Sequence, residues 1–194
     1  VNITAGTLTL GSANRLADTA AVTVAGGTLT LGGNDVVGSL TLTSGTIDGI
    51  GTLSATGSYA LQGGTVTANL GAGTINSSGN VAINGTAAAS SVNITAGTLT
   101  LGNDDRLADG ATVTVSGTGI LNMGSRVDSV TTFNMSAGSL DGTGTLVATT
   151  YGLSGGTVTA NLGGGTINSS GTVALNGTAA AATVNVTAGA LTLG

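Results

Sequence analysis

The feature that most constrains this 194-residue chain is an internal repeat. The stretch VNITAGTLTLG at 1–11 returns unchanged at 92–102, and a close variant, VNVTAGALTLG, occupies 184–194. Such repeats predict one continuous repetitive structure, because each unit can bury its apolar face only against its neighbours. We expect the chain to be part of a longer repetitive polypeptide. The large repeats are 1–91, 92–183 and the start of a third at 184–194.

Each large repeat contains smaller units in which apolar and polar residues alternate. The first copy divides before VNIT, VTVA, LTLT, YALQ and TINS, at positions 1, 22, 40, 59 and 74. A period of two indicates β-strands, and a glycine between paired strands suits a bend or a close approach. The inward positions of the first unit are predicted to be Val1, Ile3, Leu8 and Leu10.

The predicted fold is all-β: a parallel β-solenoid over 1–194, with about ten coils of 15–21 residues. Stacked at ~4.8 Å, these coils would form a rod roughly 50 Å long. Proline is absent, as expected where backbone N–H groups bond to the coils above and below. The competing fold is an antiparallel sandwich, but the hairpin dipeptide Asn-Gly occurs only at 84–85 and 176–177.

The composition excludes several classes of partner. Only 6% of the residues are charged, and the three basic residues are all Arg. Nucleic-acid binding needs Lys or Arg side chains that displace counterions from phosphates, and anionic membranes attract proteins in the same way. No apolar run approaches the ~18 residues of a membrane-spanning helix. We therefore expect no nucleic-acid partner and no membrane insertion of this segment.

No catalytic, cofactor-binding or metal site is predicted. His, Lys, Glu and Cys are all absent, so most residues used in acid–base chemistry and metal binding are missing. The stretches GGND at 32–35 and GNDD at 102–105 only faintly match calcium-binding turns. The scattered carboxylates are interpreted as solvated loop acids, with turn capping expected at the repeated pair Asp48 and Asp141. The eight acids are Asp18, Asp35, Asp48, Asp104, Asp105, Asp109, Asp128 and Asp141.

A corner loop occurs once in each large repeat, as NRLAD at 14–18 and DRLAD at 105–109. Its leucine is predicted to pack against the rod. The Arg and Asp in each loop are spaced for an ion pair, which contributes only ~0–1 kcal/mol when exposed. The residues concerned are Leu16 and Leu107, with the pairs Arg15–Asp18 and Arg106–Asp109.

Two polar patterns suggest surface functions. Thr-x-Thr triplets at 7–9, 28–30, 65–67, 98–100 and 157–159 would form an outward ladder typical of ice-binding solenoids. That ladder is interrupted in several coils, which makes ice binding the less favoured alternative. Asn-x-Ser/Thr motifs are candidate N-glycosylation acceptors, although duplication in a chain rich in Asn, Ser and Thr also produces them. These candidates are Asn2, Asn76, Asn84, Asn93, Asn134, Asn168, Asn176 and Asn185.

The stretches GGTVTANLGAGT, VNITAGTLTLG, NRLADTAAVTV and GGNDVVGSL carry a family resemblance that covers the whole chain. They are similar to the repeat regions of filamentous-haemagglutinin-like and autotransporter-type adhesins of Gram-negative bacteria. The resemblance implies a right-handed parallel β-helix that forms the stalk of a very large secreted or surface-attached adhesin. Such proteins act in attachment, aggregation or biofilm formation, and some are glycosylated at Asn-x-Ser/Thr.

These inferences predict a structural stalk or filament segment, without a catalytic site or cofactor, located outside the cell or on the bacterial surface. The expected partners are neighbouring coils of the same long chain, end-to-end or lateral copies of it, and host or surface glycans. Two alternatives remain open: a self-assembling extracellular filament or sheath subunit, and an ice-binding solenoid. A charge introduced at an inward position such as Leu8 or Ile75 is expected to disrupt the rod.

Overall fold

The computed structural model describes residues 1–194, which form β-strands and no helix. The strands are β1 (Asn2–Ile3), β2 (Thr7–Leu10), β3 (Ala21–Leu31), β4 (Asp35–Val37), β5 (Ser39–Gly49), β6 (Thr52–Ala55), β7 (Ser58–Val66), β8 (Asn69–Leu70), β9 (Thr74–Ile83), β10 (Ser91–Ile94), β11 (Thr98–Leu101), β12 (Thr112–Val115), β13 (Ile120–Asn122), β14 (Val127–Met135), β15 (Ser139–Asp141), β16 (Thr145–Val158), β17 (Asn161–Leu162), β18 (Thr166–Leu175), β19 (Thr183–Val186) and β20 (Ala190–Leu193).

The strands stack as successive coils of one solenoid. Every strand pairing is parallel, and Val92, for example, lies between Ile75 of the coil before and Val113 of the coil after. The result is a β-solenoid of about eleven turns, in agreement with the predicted right-handed parallel β-helix. The antiparallel sandwich is therefore excluded.

Three faces surround the core. In the second coil, face 1 comprises residues 21–24 and face 2 comprises 28–31, and both lie in the long strand β3. Face 3 is built from shorter strands, such as β4 and β6, which form their own small sheet. We use these names for the equivalent residues of every coil.

One apolar core of 46 buried residues extends along the rod. Strand β10 shows the alternation clearly, because Val92 and Ile94 are fully buried whereas Asn93 between them is not. The inward pattern is thereby confirmed within the rod. In the first coil, which has a neighbour on one side only, Val1 remains 46% exposed and Leu8 is half-buried.

The structure corrects one coil boundary. Tyr59 pairs with Ile75, so the fourth coil has 16 residues, and the fifth, from Ile75 to Val92, has 17. The expected division before Thr74 is therefore one residue early, because Thr74 points outward and the inward residue is the next one.

Two tyrosines are buried in the core with their hydroxyl groups satisfied. The Tyr59 hydroxyl accepts the N–H of Ala55 at 3.0 Å and lies 3.0 Å from the carbonyl oxygen of Leu53. Tyr151 makes the equivalent contacts one large repeat later. Burial raises the pKa of both phenols, so they stay neutral hydrogen-bonding groups that tie the face 3 corner to the core.

The bend between faces 1 and 2 requires glycine. Gly45 and Gly64 have φ values of +94° and +102°, a region that residues with a Cβ rarely adopt. A Cβ at Gly45 would also overlap the carbonyl oxygen of Gly27 in the coil before. The repeated glycine between paired strands is therefore a backbone requirement, as the sequence predicts.

Candidate functional surface

Two of the eight Asp residues lie in the core rather than in solvated loops, so the interpretation as loop acids is wrong for them. Asp35 is 1% exposed and Asp128 is fully buried. Both occupy inward positions of face 3, where Asp35 pairs with Leu53 and Asp128 pairs with Leu146 of the following coils. Buried carboxylates need hydrogen-bond donors, and the corner loops supply them.

Each buried carboxylate fastens the corner loop of the preceding coil. Asp35 Oδ2 accepts the backbone N–H of Arg15 at 2.6 Å and that of Leu16 at 3.3 Å. Asp128 Oδ2 does the same for the loop of the second copy. Its donors are Arg106 N at 2.7 Å and Leu107 N at 3.1 Å.

The two buried carboxylates differ in how completely they are satisfied. Asp35 Oδ1 lies 3.4 Å from Leu16 N, whereas Asp128 Oδ1 has no hydrogen-bond partner. Burial raises the pKa of Asp128 to about 6, and the nearby negative charge of Asp105 adds to the rise. The backbone N–H groups at Oδ2 act in the opposite direction without cancelling it.

The predicted packing of the loop leucines is confirmed, because Leu107 is buried and Leu16 packs against the core. The ion pairs that the spacing of Arg and Asp would allow are not formed. Arg15 Nε donates to the carbonyl oxygen of Ala13, at 3.0 Å. Arg106 donates through Nε to Asp104 O at 2.8 Å and through Nη1 to Asn84 O at 2.9 Å. Backbone carbonyls, rather than Asp18 and Asp109, therefore hold the two guanidinium groups.

Asp48 and Asp141 lie near the ends of face 2 strands, and each accepts a hydroxyl group from a Thr of the next coil. Asp48 Oδ1 accepts the hydroxyl of Thr67 in the next coil, at 2.6 Å. This bond and the N–H of Gly49 lower the pKa of Asp48 below its ordinary value. Asp141 has the equivalent contact, with Thr159 Oγ1 at 3.3 Å.

No group of three or more metal-ligating carboxylates comes together on the rod. The largest surface depression, about 500 Å³, has one ionisable lining residue, Asp109. No helix of the structure could cross a membrane. The geometry thus directs attention to the regular outer faces.

Comparison with family models, curated proteins and solved structures gives no significant match.

The Thr-x-Thr triplets belong to face 2, where their outward column is interrupted. The column is continuous through four coils and then changes at Ala82. A register shift precedes this change, because Leu61 lies opposite Ser77 whereas Gly63 lies opposite Asn80. The successive paired members of the column, as far as the pairing links them, are Thr7, Thr28, Thr46, Thr65, Ala82, Thr100, Asn122 and Asp141.

Face 1 carries the unbroken hydroxyl column, which the triplets did not predict. From the third coil onward, nine successive coils present Ser or Thr at the same outward position, whereas the second coil has Ala21 there. From Ser58 onward, each of these residues pairs directly with the next one. Because the residues that follow these positions differ and their spacings are unequal, the column becomes visible only once the register between the coils is known. Its members are Ser39, Ser58, Thr74, Ser91, Thr112, Thr132, Thr150, Thr166 and Thr183.

A second outward column lies two residues further along face 1. Six of the eight Asn-x-Ser/Thr motifs fall in it, whereas Asn84 and Asn176 follow face 2 strands. The column is Asn2, Thr23, Thr41, Ala60, Asn76, Asn93, Thr114, Asn134, Gly152, Asn168 and Asn185.

Neighbouring Asn side chains in this column bond to each other. Asn93 Nδ2 donates to Asn76 Oδ1 at 3.0 Å, and Asn185 Nδ2 donates to Asn168 Oδ1 at 2.9 Å. Stacked amides of this kind stabilise a parallel array, which gives the Asn residues a structural role. Their glycosylation stays a prediction.

Proposed function

We propose that this chain is a stalk segment of a large secreted or surface-attached bacterial adhesin. The segment would extend the adhesin away from the cell and present a regular outer surface, rather than catalyse a reaction. The observation that carries the proposal is the single core that runs through all coils, with each strand paired only to the coils before and after it. A structure built in this way lengthens by adding coils and leaves its cross-section unchanged.

The outer surface also supports a stalk. The outward positions of face 1 are occupied mainly by Ser, Thr and Asn, and only 6% of all residues are charged. Short face 3 strands and corner loops absorb differences in coil length, so the rod continues past irregular units. The resemblance to the repeat regions of bacterial adhesins points to the same role.

Two measurements on source cells test this proposal. An antibody against the 194-residue segment, combined with protease treatment of intact cells, reports whether the segment is outside the cell. The mass of the native polypeptide reports whether these repeats belong to a much larger chain. Surface exposure on a polypeptide many times larger than 18.0 kDa is the expected result. An intracellular protein of about this mass would contradict the proposal.

A self-assembling filament or sheath subunit is the second candidate. Within the rod, Val92, Ile94 and Leu101 are buried between the coils before and after them, and the coils join through parallel backbone pairing. A coil of a second copy could pair in the same way as a neighbouring coil of the same chain. Sedimentation of the isolated chain over a range of concentrations distinguishes the candidates. Reversible growth of fibres favours the filament, and a monomer at all concentrations favours the stalk.

A further inference from the structure

Face 1 is distinguished from the rest of the rod by having no charged side chain in its two outward columns. The chain has three Arg and eight Asp residues, and none of them occupies either column. Face 2, by contrast, presents Asp48 and Asp141 outward. Face 1 is therefore an electrically neutral array composed mainly of hydroxyl and amide groups, with Ala21, Ala60 and Gly152 as the interruptions.

The array stays in register although the coils differ in length. Ser58 and Thr74 are separated by 16 residues, and Ser91 and Thr112 by 21, yet each pair lies side by side. The extra residues are accommodated outside face 1, in the corner loops. The array therefore repeats at about 4.8 Å along the rod and roughly 6.6 Å between its two columns.

We propose that face 1 is an ice-binding surface. Hydroxyl and amide groups both donate and accept hydrogen bonds, as the water molecules of ice do. The two spacings of the array are near those between oxygen rows on a prism face of ice. A face without charges also keeps no strongly held hydration shell that would have to be removed on binding.

The same observations favour ice over a polysaccharide surface. Flat sugar polymers are commonly bound by exposed aromatic rings. The three aromatic residues of this chain, Tyr59, Phe133 and Tyr151, are all fully buried. Face 1 offers hydrogen-bonding groups and the methyl groups of Thr, which suit ordered water. This inference does not depend on the stalk proposal, since a rod can bind ice with or without a role in adhesion.

The test is the difference between the melting and freezing points of a seed ice crystal in a solution of the 194-residue chain. The face 1 variant Thr112→Asp/Thr114→Asp puts two charges into the array. The matched control, Thr98→Asp/Thr100→Asp, changes two half-buried, outward Thr residues of face 2. Circular dichroism confirms that each variant is folded.

A second pair of variants avoids charge altogether. Thr114→Gln places a longer, neutral side chain in the face 1 array, and Thr100→Gln does the same on face 2. The pair keeps the test valid if either double Asp variant fails to fold.

For the wild-type chain we expect a measurable gap between the melting and freezing points. The face 1 variants should lose most of this gap, and the face 2 controls should keep it. No gap in a folded wild-type chain would overturn the proposal, as would equal losses on both faces. Two further outcomes would also overturn it. One is that the wild-type chain forms a dimer, which the face 1 substitutions abolish, and shows no gap between the melting and freezing points. The other is adsorption to insoluble polysaccharide, again without a gap.

Discussion

One buried carboxylate binds the backbone N–H groups of each corner loop of this rod. Asp35 and Asp128 perform this task in the two copies, although they are not equally spaced from the loops they bind. The carboxylate follows the bonded Arg N–H by 20 residues in the first copy and by 22 in the second. The signal available in the sequence is an Asp about one coil after each loop.

The buried Asp128 makes the stability of the rod depend on pH. An unfolded Asp has a pKa of ~3.9, whereas burial raises the pKa of Asp128 to about 6. The folded state thus holds the proton more tightly. The free energy of unfolding is therefore highest below the unfolded pKa, and it falls as the pH rises from about 4 to about 6. We expect a fall on the order of 2 kcal/mol in urea titrations across this range.

The variant Asp128→Asn should remove most of this pH dependence, because its amide oxygen can still accept the N–H groups of Arg106 and Leu107. Asp18→Asn, which removes a charge from an exposed loop position, is the control and should retain the dependence of the wild type. An unchanged pH profile in Asp128→Asn would show that another group is responsible.

Ser77 is a second residue at which the core is imperfect. It lies in an inward column between Leu61 and Ile94, and its hydroxyl has no hydrogen-bond partner. We expect Ser77→Ala to raise the free energy of unfolding by about 1 kcal/mol, since an unsatisfied buried hydroxyl is removed. The exposed neighbour Ser78, changed to Ala, serves as the control and should have little effect. Urea titration measures both, and destabilisation by Ser77→Ala would contradict the assignment.

At the scale of the strand, alternation decides which side chains enter the core. Ile75→Asp should lower the free energy of unfolding by at least about 4 kcal/mol, because the carboxyl group would be buried without a partner. Asn76→Asp is a closely matched control. Its side chain points outward and can still accept the amide of Asn93. Equal effects of the two variants would refute the inward assignment of face 1.

At the bend between faces 1 and 2, backbone conformation rather than side-chain packing determines which residue is tolerated. Gly45→Ala should lower the free energy of unfolding by about 2–3 kcal/mol, because Gly45 has a positive φ and an added Cβ would overlap the carbonyl oxygen of Gly27. The control is Gly11→Ala. Gly11 has open space around it and no positive φ, so the change should stay within about 0.5 kcal/mol. Thermal unfolding followed by circular dichroism compares them, and similar losses would argue against the strained bend.

The coil pattern and the inward residues were predictable because the apolar alternation has a period of two in every unit. The sequence pattern makes the fourth coil one residue too short, because Thr74, which precedes the inward Ile75, also begins a plausible strand. The buried Asp35 was missed because Asp is usually exposed, although it occupies the inward phase of Asp35–Val37. The hydroxyl column of face 1 could not be predicted, since it depends on the register between coils of unequal length.

At the scale of the whole molecule, the account makes the rod a one-dimensional stack. Each coil is stabilised by its two neighbours, so no contact joins distant parts of the rod. Length should then be proportional to the number of coils. This property is what the proposed stalk function requires.

The most direct test of this claim is small-angle X-ray scattering from the chain and from a variant in which the block 92–183 is duplicated. That block contains five coils, so the account predicts a rod longer by about 24 Å with an unchanged cross-sectional radius of gyration. A particle that grows in cross-section, or that does not lengthen, would contradict the stacked solenoid and with it the proposed stalk.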